Sequence, residues 1–551
     1  MSYRKNYFEN KWDMFSSTNR SFGQFLEWNS KIIEASLNVI TGAEIYWKGV
    51  MQQMNDFMAP SWNAIKSFTD VEGKNLREVP SWDTAREFIE LLQFNVELIT
   101  RGYTGSLATM SDYHLHQMKE ALDATRNSFF GGDAEDIVGY TRRQLQFMDL
   151  VVNAYPKAIR DIKSEYGIHS ESGGYIKVAE TERFELYQVL PSDKNIRVRE
   201  DGKPILVLPP YVLGPNILAF LPGKHRSYIH SFADQGIPTY IRVLKNIDTT
   251  PAVQLMTGED DASDTRIFCG QIMGRHGKPV TLNGYCQGGF MAVVDILSGE
   301  LDGLVDALIT CVAPMDGSRS KALVEYIQHL PPRFRKLGYA VKKLPNGNRV
   351  VDGKVISWVY KLKSMETEAP LYSFYRDMRM FEKSEGPMQK IKDTAAAINH
   401  WLIYDRSDLP LAITQLSFDS YTKPVDKHGT LPVKLFGRTL NFKSMEDKGI
   451  KWLICIGERD ELVDAPAALA PLDYVDAEVT VFPKGHGAIA TTWSLPTSAY
   501  ALQKSFDVSS PGFSGRHRGP VRFQLDLEDA LMDEAFVVEA LMRNGFEEMA
   551  A

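Results

Sequence analysis

Cys286 has glycine two residues away on each side, in the run Asn283-Gly284-Tyr285-Cys286-Gln287-Gly288-Gly289. The preceding Pro279-Val280-Thr281-Leu282 is β-rich, and Phe290 to Leu297 is an apolar, helix-like run. Strand, sharp turn and helix around G-x-C-x-G is the pattern of a nucleophile elbow with sulfur in place of oxygen. The elbow glycines Gly284 and Gly288 have a steric job, because a side chain at either position would collide with a neighbouring strand or helix. A buried, inert thiol beside a glycine-rich turn would show the same letters. The rest of the chain must therefore supply a base and an acid.

A thiol becomes a nucleophilic thiolate at neutral pH when a base stands beside it. Sheet enzymes with such an elbow present nucleophile, acid and histidine in that order, each after a strand. Here Lys451 to Ile456 reads as a strand, followed by Gly457-Glu458-Arg459-Asp460. Glu478 to Phe482 reads as another, followed by Pro483-Lys484-Gly485-His486-Gly487. Cys286, Asp460 and His486 thus lie just past the carboxyl ends of parallel strands, where open α/β sheets gather their sites. Asp460 has two rivals. Asp464, before Ala465-Pro466, reads better as a helix N-cap, and Glu458 lies one residue past the turn glycine. The oxyanion donors would be the Gln287 N–H and an N–H from Tyr211 or Val212, since Pro209 and Pro210 have none to give. Cys311 and Cys455 fall inside apolar strands and read as core.

The elements that must position these residues begin near Tyr175. Tyr175 to Val178 and Phe184 to Tyr187 suggest an antiparallel ribbon. Pro204 to Leu208, Pro238 to Val243 and Leu304 to Val312 alternate with helix-like runs at Ser227 to Ala233 and Asp264 to Met273. That alternation predicts a mostly parallel α/β sheet. Residues 315–445 interrupt it with Pro331-Pro332, an Asn346-Gly347 hairpin signal and an aromatic cluster including Tyr360, Tyr372, Phe374, Tyr375, Trp401 and Tyr404. Such an insertion predicts a lid or cap. Its basic residues, Arg333, Arg335, Lys336, Lys342 and Lys343, form either a solvated face or an attraction for a phosphate-bearing substrate.

Residues 1–168 read as helical. Phe25, Ile32, Val39 and Tyr46 recur every seven residues beside Leu26, Ile33, Ile40, Trp47 and Met54, one wide apolar face on a long helix. Pro60 and Pro80 break the pattern. Helices are expected over Trp82 to Leu107 and Ser111 to Phe129, then a turn at Gly131-Gly132-Asp133. A last helix carries a heptad seam at Leu145, Met148, Val152, Tyr155, Ile159 and Ile162. Ser509-Ser510-Pro511-Gly512 reads as a linker to a tail ending in an acidic helix, Leu525 to Met542. The expected domains are 1–168, 169–508 and 509–551.

The chain has 551 residues, more than one ordinary core holds, and a formal charge of −8 that argues against nucleic acid. Its four cysteines form neither a C-x-x-C pair nor a cluster with histidine, so no metal is expected. No signal peptide or transmembrane run is read, and a cytoplasmic location fits a free thiol. A thioester exchanges readily with a thiolate, so the sulfur suits acyl transfer from a thioester.

The catalytic half, roughly 175 to 500, resembles polyhydroxyalkanoate synthases, which have an α/β-hydrolase-like fold. They carry a lipase-like box with cysteine, here Gly284-Tyr285-Cys286-Gln287-Gly288-Gly289, and a strand followed by two prolines, here Val207-Leu208-Pro209-Pro210-Tyr211-Val212. Phe232 to Tyr240 is similar to the family's helix-to-strand connection, and Asp460 and Gly485-His486 fall where the family's Asp and His fall. The resemblance implies that Cys286 carries the growing chain, His486 activates it and Asp460 activates the substrate's 3-hydroxyl. The implied substrate is a 3-hydroxyacyl-coenzyme A, with no cofactor beyond the acyl-coenzyme A itself. The implied partners are a hydrophobic polyester or granule surface and a second copy in a homodimer. Phe290, where the family often has a small or hydroxyl residue, departs from the pattern, and Trp401 to Pro410 matches the family's Trp-Asn-x-Asp region in part. Ala313 to Ser320 equally resembles intracellular polyhydroxyalkanoate depolymerases, while the Gly-Gly after Gln287 favours a synthase. The N-terminal helices weakly resemble phasins, which coat polymer granules. The alternatives are a depolymerase or thioesterase on the same triad, or a catalytically silent granule-associated protein.

Overall fold

The computed structural model describes residues 27–56, 82–130, 134–169, 173–320, 341–353, 370–382 and 391–530, with isolated positions at 58, 62, 65, 66, 69 and 324. The sequence features at Pro60, Pro80, Gly131-Gly132-Asp133, Pro331-Pro332, Arg333, Arg335, Lys336 and Tyr360 lie outside them. So does the part of the tail beyond residue 530. The chain divides into two compact units: Met1–Asn63, Asn95–Asp161 and Ser364–Lys392 form one, and Ala64–Phe94, Ile162–Lys363 and Asp393–Ala551 form the other.

The first unit is helical. Its helices are α1 (residues 27–56), the part of α2 (Trp82–Phe130) beyond residue 94, α3 (Ile137–Asp149), a π-turn (Leu150–Ala154) and α4 (Tyr155–Asp161). The helix Pro370–Glu382, from the segment read as a cap, joins them. Phe374, Tyr375 and Met378 enter one core with Tyr113, Val151, Val152, Tyr155 and Ile159. The Tyr46 hydroxyl bonds Tyr375 at 2.7 Å and His114 Nε2 at 2.9 Å.

Two expectations change here. The predicted pair of helices between 82 and 129 is one helix of 49 residues. The Ser and Thr side chains near the expected break bond back onto their own helix, Ser106 to Gly102 O and Thr109 to Gly105 O, instead of capping a new one. Of the expected apolar row on α1, Tyr46 packs on the core beside Ile45 and Val50, but the most deeply buried positions are small residues. Ala35 is buried, and a Cβ on Gly49 would lie 2.7 Å from Val152, so small residues let the helices approach closely. Ile33, Ile40 and Trp47 are each more than 60% exposed and point outward.

The second unit is built on a sheet. In chain order its strands are β1 (Tyr175–Glu180), β2 (Phe184–Val189), β3 (Ile205–Leu208), β4 (Thr239–Leu244), β5 (Val280–Tyr285) and β6 (Val305–Cys311). The short β7 (Val341–Lys343), β8 (Arg349–Val351) and β9 (Leu409–Pro410) form a separate sheet, and β10 (Thr430–Leu435) pairs with β11 (Arg438–Asn441). β12 (Lys451–Gly457) and β13 (Glu478–Phe482) complete the main sheet, and β14 (Ser505–Ser510) and β15 (Phe513–Arg518) form a hairpin. The main sheet has eight strands in the order β1-β2-β4-β3-β5-β6-β12-β13. β2 is antiparallel to both neighbours, and β4 through β13 run parallel.

The continuous apolar strands are the central ones because helices cover both faces: α5 (Tyr228–Ala233), α6 (Pro251–Gln254), α7 (Gly258–His276) and α8 (Gln287–Leu297). All of β3, all of β5 and all of α8 are buried. α7 starts six residues before the apolar pattern suggested, because Thr257 and Asp260 form a reciprocal capping box there. Ser509 and Ser510 end β14 and Pro511-Gly512 is the turn of the β14–β15 hairpin, not a linker. Alternating exposed polar residues mask that strand pair in the sequence. A helix follows at 520–530.

Candidate active site

β5 ends at Tyr285, and α8 begins at Gln287. Between them Cys286 has φ 52° and ψ −125°, a conformation that costs an L-residue energy and is held by its surroundings. Its N–H donates to Cys311 O at 2.8 Å, and its carbonyl accepts from Gly289 N at 2.9 Å. A Cβ on Gly284 would lie 2.3 Å from Gly289 Cα, and one on Gly288 would lie 2.1 Å from Leu208 O. Backbone atoms stand in the way at both sites and cannot rotate aside. Gly288→Ala is expected to lower stability by about 3 kcal/mol or more and to slow alkylation of Cys286. Urea unfolding and iodoacetamide labelling measure the two effects.

β12 and β13 deliver the other two residues. Asp460 follows β12, with Oδ1 accepting from Leu462 N and Val463 N at 2.9 Å each. Its Oδ2 meets His486 Nδ1 at 2.8 Å. The Asp460 side chain is 1% exposed and the His486 side chain 13%. Gly457 permits the approach, because a Cβ there would lie 2.5 Å from Lys484 O. His486 Nε2 is buried without a hydrogen-bond partner. The Cys286 sulfur stands close enough to the ring to act on its charge.

The electrostatics favour a charged ring. Burial alone would push the His486 pKa down, but the Asp460 carboxylate and then the Cys286 sulfur outweigh it and hold it well above the ordinary value. A histidine raised in the folded state stabilises fully at pH below its unfolded pKa and loses that contribution as pH rises through the folded one. His486→Gln is therefore expected to lower Tm more at about pH 6 than at about pH 9 in thermal unfolding. An equal loss at both would contradict this.

The rival acids stand elsewhere. Asp464 occupies the N-cap position of Ala465–Ala468 but does not cap it with its side chain. It accepts from Ser320 Oγ at 3.1 Å instead. Glu458 is exposed. Cys311 and Cys455 are buried in the sheet, and burial pushes the Cys455 thiol pKa well above its ordinary range. Phe290 is a core residue at 1% exposure.

The chain leaving β3 passes against the first turn of α8, as the Gly288–Leu208 contact shows. Gln287 heads that helix, where an N–H has no intrahelical acceptor. Tyr211 and Val212 lie in the turn after the two prolines, Tyr211 buried and Val212 half-buried.

Three contacts escape a reading of the motifs. The Tyr285 hydroxyl donates to His486 O at 2.7 Å, tying the histidine loop to the elbow strand. Gln287 Nε2 donates to Ser417 Oγ on the helix Leu411–Thr422. Trp401 Nε1, on the helix Asp393–Tyr404, donates to Leu213 O at 3.2 Å. Two helices of the inserted segment thus pack on the nucleophile turn and on the loop after β3. Lys342, one of its basic residues, is paired with Asp408. Among the described residues no group of His, Cys, Asp and Glu could hold a metal ion, and no helix is long and apolar enough to cross a membrane.

The strand order, the antiparallel β2 and the elbow after β5 decide the fold. It is that of an α/β-hydrolase. No family model and no curated protein matches the sequence. Among solved structures, a carboxylesterase of the ammonia-oxidizing thaumarchaeon Nitrososphaera gargenis is similar at 13% identity and a TM-score of 0.33, over 57% of this chain and 92% of that one. Carboxylesterase CesB from Bacillus subtilis is similar at 12% identity and a TM-score of 0.33, over 62% and 93%. The 2-hydroxy-6-oxo-6-phenylhexa-2,4-dienoate hydrolase of Rhodococcus sp. strain RHA1 is similar at 12% identity and a TM-score of 0.27, over 58% and 94%.

Proposed function

We propose that this α/β-hydrolase-fold chain is an acyltransferase that polymerises 3-hydroxyacyl-coenzyme A into polyester through Cys286, His486 and Asp460. The observation that carries it is a cysteine at the elbow beside an imidazole whose pKa the buried Asp460 carboxylate holds well above its ordinary value. In that setting the reactive form is a thiolate–imidazolium pair. The thiolate attacks the thioester carbonyl, and the oxyanion is met by the N–H groups of Gln287 and of the Tyr211-Val212 turn. Coenzyme A leaves with the His486 proton. Neutral His486 then takes the proton of a second substrate's 3-hydroxyl, whose oxygen attacks the Cys286 thioester. One ester bond forms, and the thiolate–imidazolium pair returns. Asp460 works through the ring, because its Oδ2 holds Nδ1 and its Oδ1 holds two backbone N–H groups.

Transfer rather than hydrolysis is supported by burial. Cys286 is 9% exposed, His486 Nε2 is buried, and the helix Leu411–Thr422 is bonded to Gln287. Such a site limits water at the acyl-enzyme. The outward apolar row of α1, with Ile33, Ile40 and Trp47, would suit a hydrophobic polymer surface. On this reading the protein works in the cytoplasm at the granule, as a homodimer. Purified protein given 3-hydroxybutyryl-coenzyme A is expected to release coenzyme A and form polymer, and Cys286→Ala to do neither. Soluble hydroxyacid from the coenzyme A ester would select a thioesterase instead, and soluble hydroxyacid from added polymer, without net synthesis, would select a depolymerase. No coenzyme A release across a range of acyl lengths, together with no soluble hydroxyacid from added polymer, would reject all of these and leave the catalytically silent alternative.

A further inference from the structure

A buried polar cluster lies behind the turn that follows β3. The Tyr211 hydroxyl donates to Asp261 of α7. Asp261 is fully buried and is held by Arg242 of β4, at 2.9 Å to Oδ1 and 3.0 Å to Oδ2. Arg242 is also buried, stacks 4.6 Å from the Phe184 ring centroid, and donates to Thr265 Oγ1 at 2.5 Å. The Thr265 hydroxyl lies 3.0 Å from Asp295 Oδ2, and Asp295 belongs to α8, the helix that Cys286 heads.

The guanidinium pairs with Asp261 and reaches the second carboxyl group, Asp295, through the Thr265 hydroxyl. Burial, and next the Asp261 charge, push the Asp295 pKa well above its ordinary value. A neutral Asp295 leaves Arg242 and Asp261 as one balanced pair, which is how a buried cluster of this composition avoids an uncompensated charge. Such a cluster is costly to break and therefore rigid. It joins β4, α7 and α8 to a turn that otherwise has short side-chain reach into the core.

We infer that Tyr211 is a positioning residue: its hydroxyl, anchored on the Asp261–Arg242 pair, holds the backbone of the Tyr211-Val212 turn at the distance from Cys286 that an oxyanion donor needs. The inference rests on the acyl-transfer reading above. Pro209 and Pro210 make the Tyr211 N–H the first donor available after β3, so a small displacement of this turn removes the donor without touching the thiol. The cluster also reaches α8 through Asp295, so the donor turn and the nucleophile helix share one anchor.

The test compares two reactions of Cys286 in the full-length protein. Acylation by p-nitrophenyl butyrate passes through a tetrahedral oxyanion, whereas alkylation by iodoacetamide does not. Tyr211→Phe keeps the ring and its packing and removes the hydroxyl. Acylation is expected to slow by about 10- to 100-fold, at or below the loss from removing a single oxyanion donor, with KM little changed. Alkylation is expected to stay within about twofold of wild type, since the thiolate and its access are untouched. That alkylation rate also reports that the elbow is folded. Equal losses in both reactions would overturn the inference as a general disturbance, and no loss in either would overturn it directly. Failure of the wild-type protein itself to be acylated would instead reject the acyl-transfer reading.

Discussion

Cys286→Ser should leave a folded protein that releases coenzyme A from 3-hydroxybutyryl-coenzyme A at least about 10³-fold more slowly than wild type. Serine fits the elbow, because the close contacts are made by the glycines on either side and not by the side chain at 286. The loss is chemical. Asp460 and then the sulfur push the His486 pKa well above its ordinary value, which favours the protonated ring, and a protonated ring cannot take a hydroxyl proton. A thiolate needs no such help once the pair has formed. The substitution also removes the sulfur's contribution to the charge on the ring, so part of the base returns, which is why the expected loss is large but not total. Steady-state release measured with a thiol reagent gives the number. Activity of the serine variant within about tenfold of wild type would mean that the ring works as an ordinary neutral base.

The second large effect is expected from Asp460→Asn, about 10³- to 10⁴-fold in kcat with the fold kept. The asparagine oxygen can still accept from Leu462 N and Val463 N, so the loop survives. The amide nitrogen then faces His486 Nδ1, where Asp460 Oδ2 now stands. An N–H pointing at Nδ1 selects the tautomer with its proton on Nε2, which is wrong for a base toward sulfur or hydroxyl. The charge that raises the ring is lost in the same step. Circular dichroism should match wild type while turnover falls. A variant with near-wild-type kcat would remove Asp460 from the mechanism and return attention to Glu458 and Asp464.

Much of the catalytic unit was legible because its signals are local. An all-apolar strand such as Ile205–Leu208 can only be buried on both faces. The elbow is legible because Gly284 and Gly288 are dictated by backbone contacts only a few residues or one strand away. The order of Cys286, Asp460 and His486 follows from strands that each end in a short loop. The contacts that refine the site are not local: Tyr285 to His486, Gln287 to Ser417 and Tyr211 to Asp261 join residues that no spacing rule connects. The helical unit is harder to read for a different reason. Periodicity shows which face of α1 is apolar, but the buried Ala35, Gly42 and Gly49 are too small to mark where it packs most closely. The hairpin at 505–518 lacks apolar alternation strong enough to mark it, and its Ser-Pro-Gly turn imitates a linker.

The most direct measurement is the intact mass of the protein during turnover. Rapid mixing with 3-hydroxybutyryl-coenzyme A, acid quench and mass spectrometry should show one or more hydroxyacyl groups on the chain, mapped to Cys286 by peptide digestion and released by hydroxylamine. Cys286→Ala should carry none. Coenzyme A release at the wild-type rate with Cys286 unmodified, or with the acyl group on another residue, would contradict the assignment of Cys286 as the nucleophile.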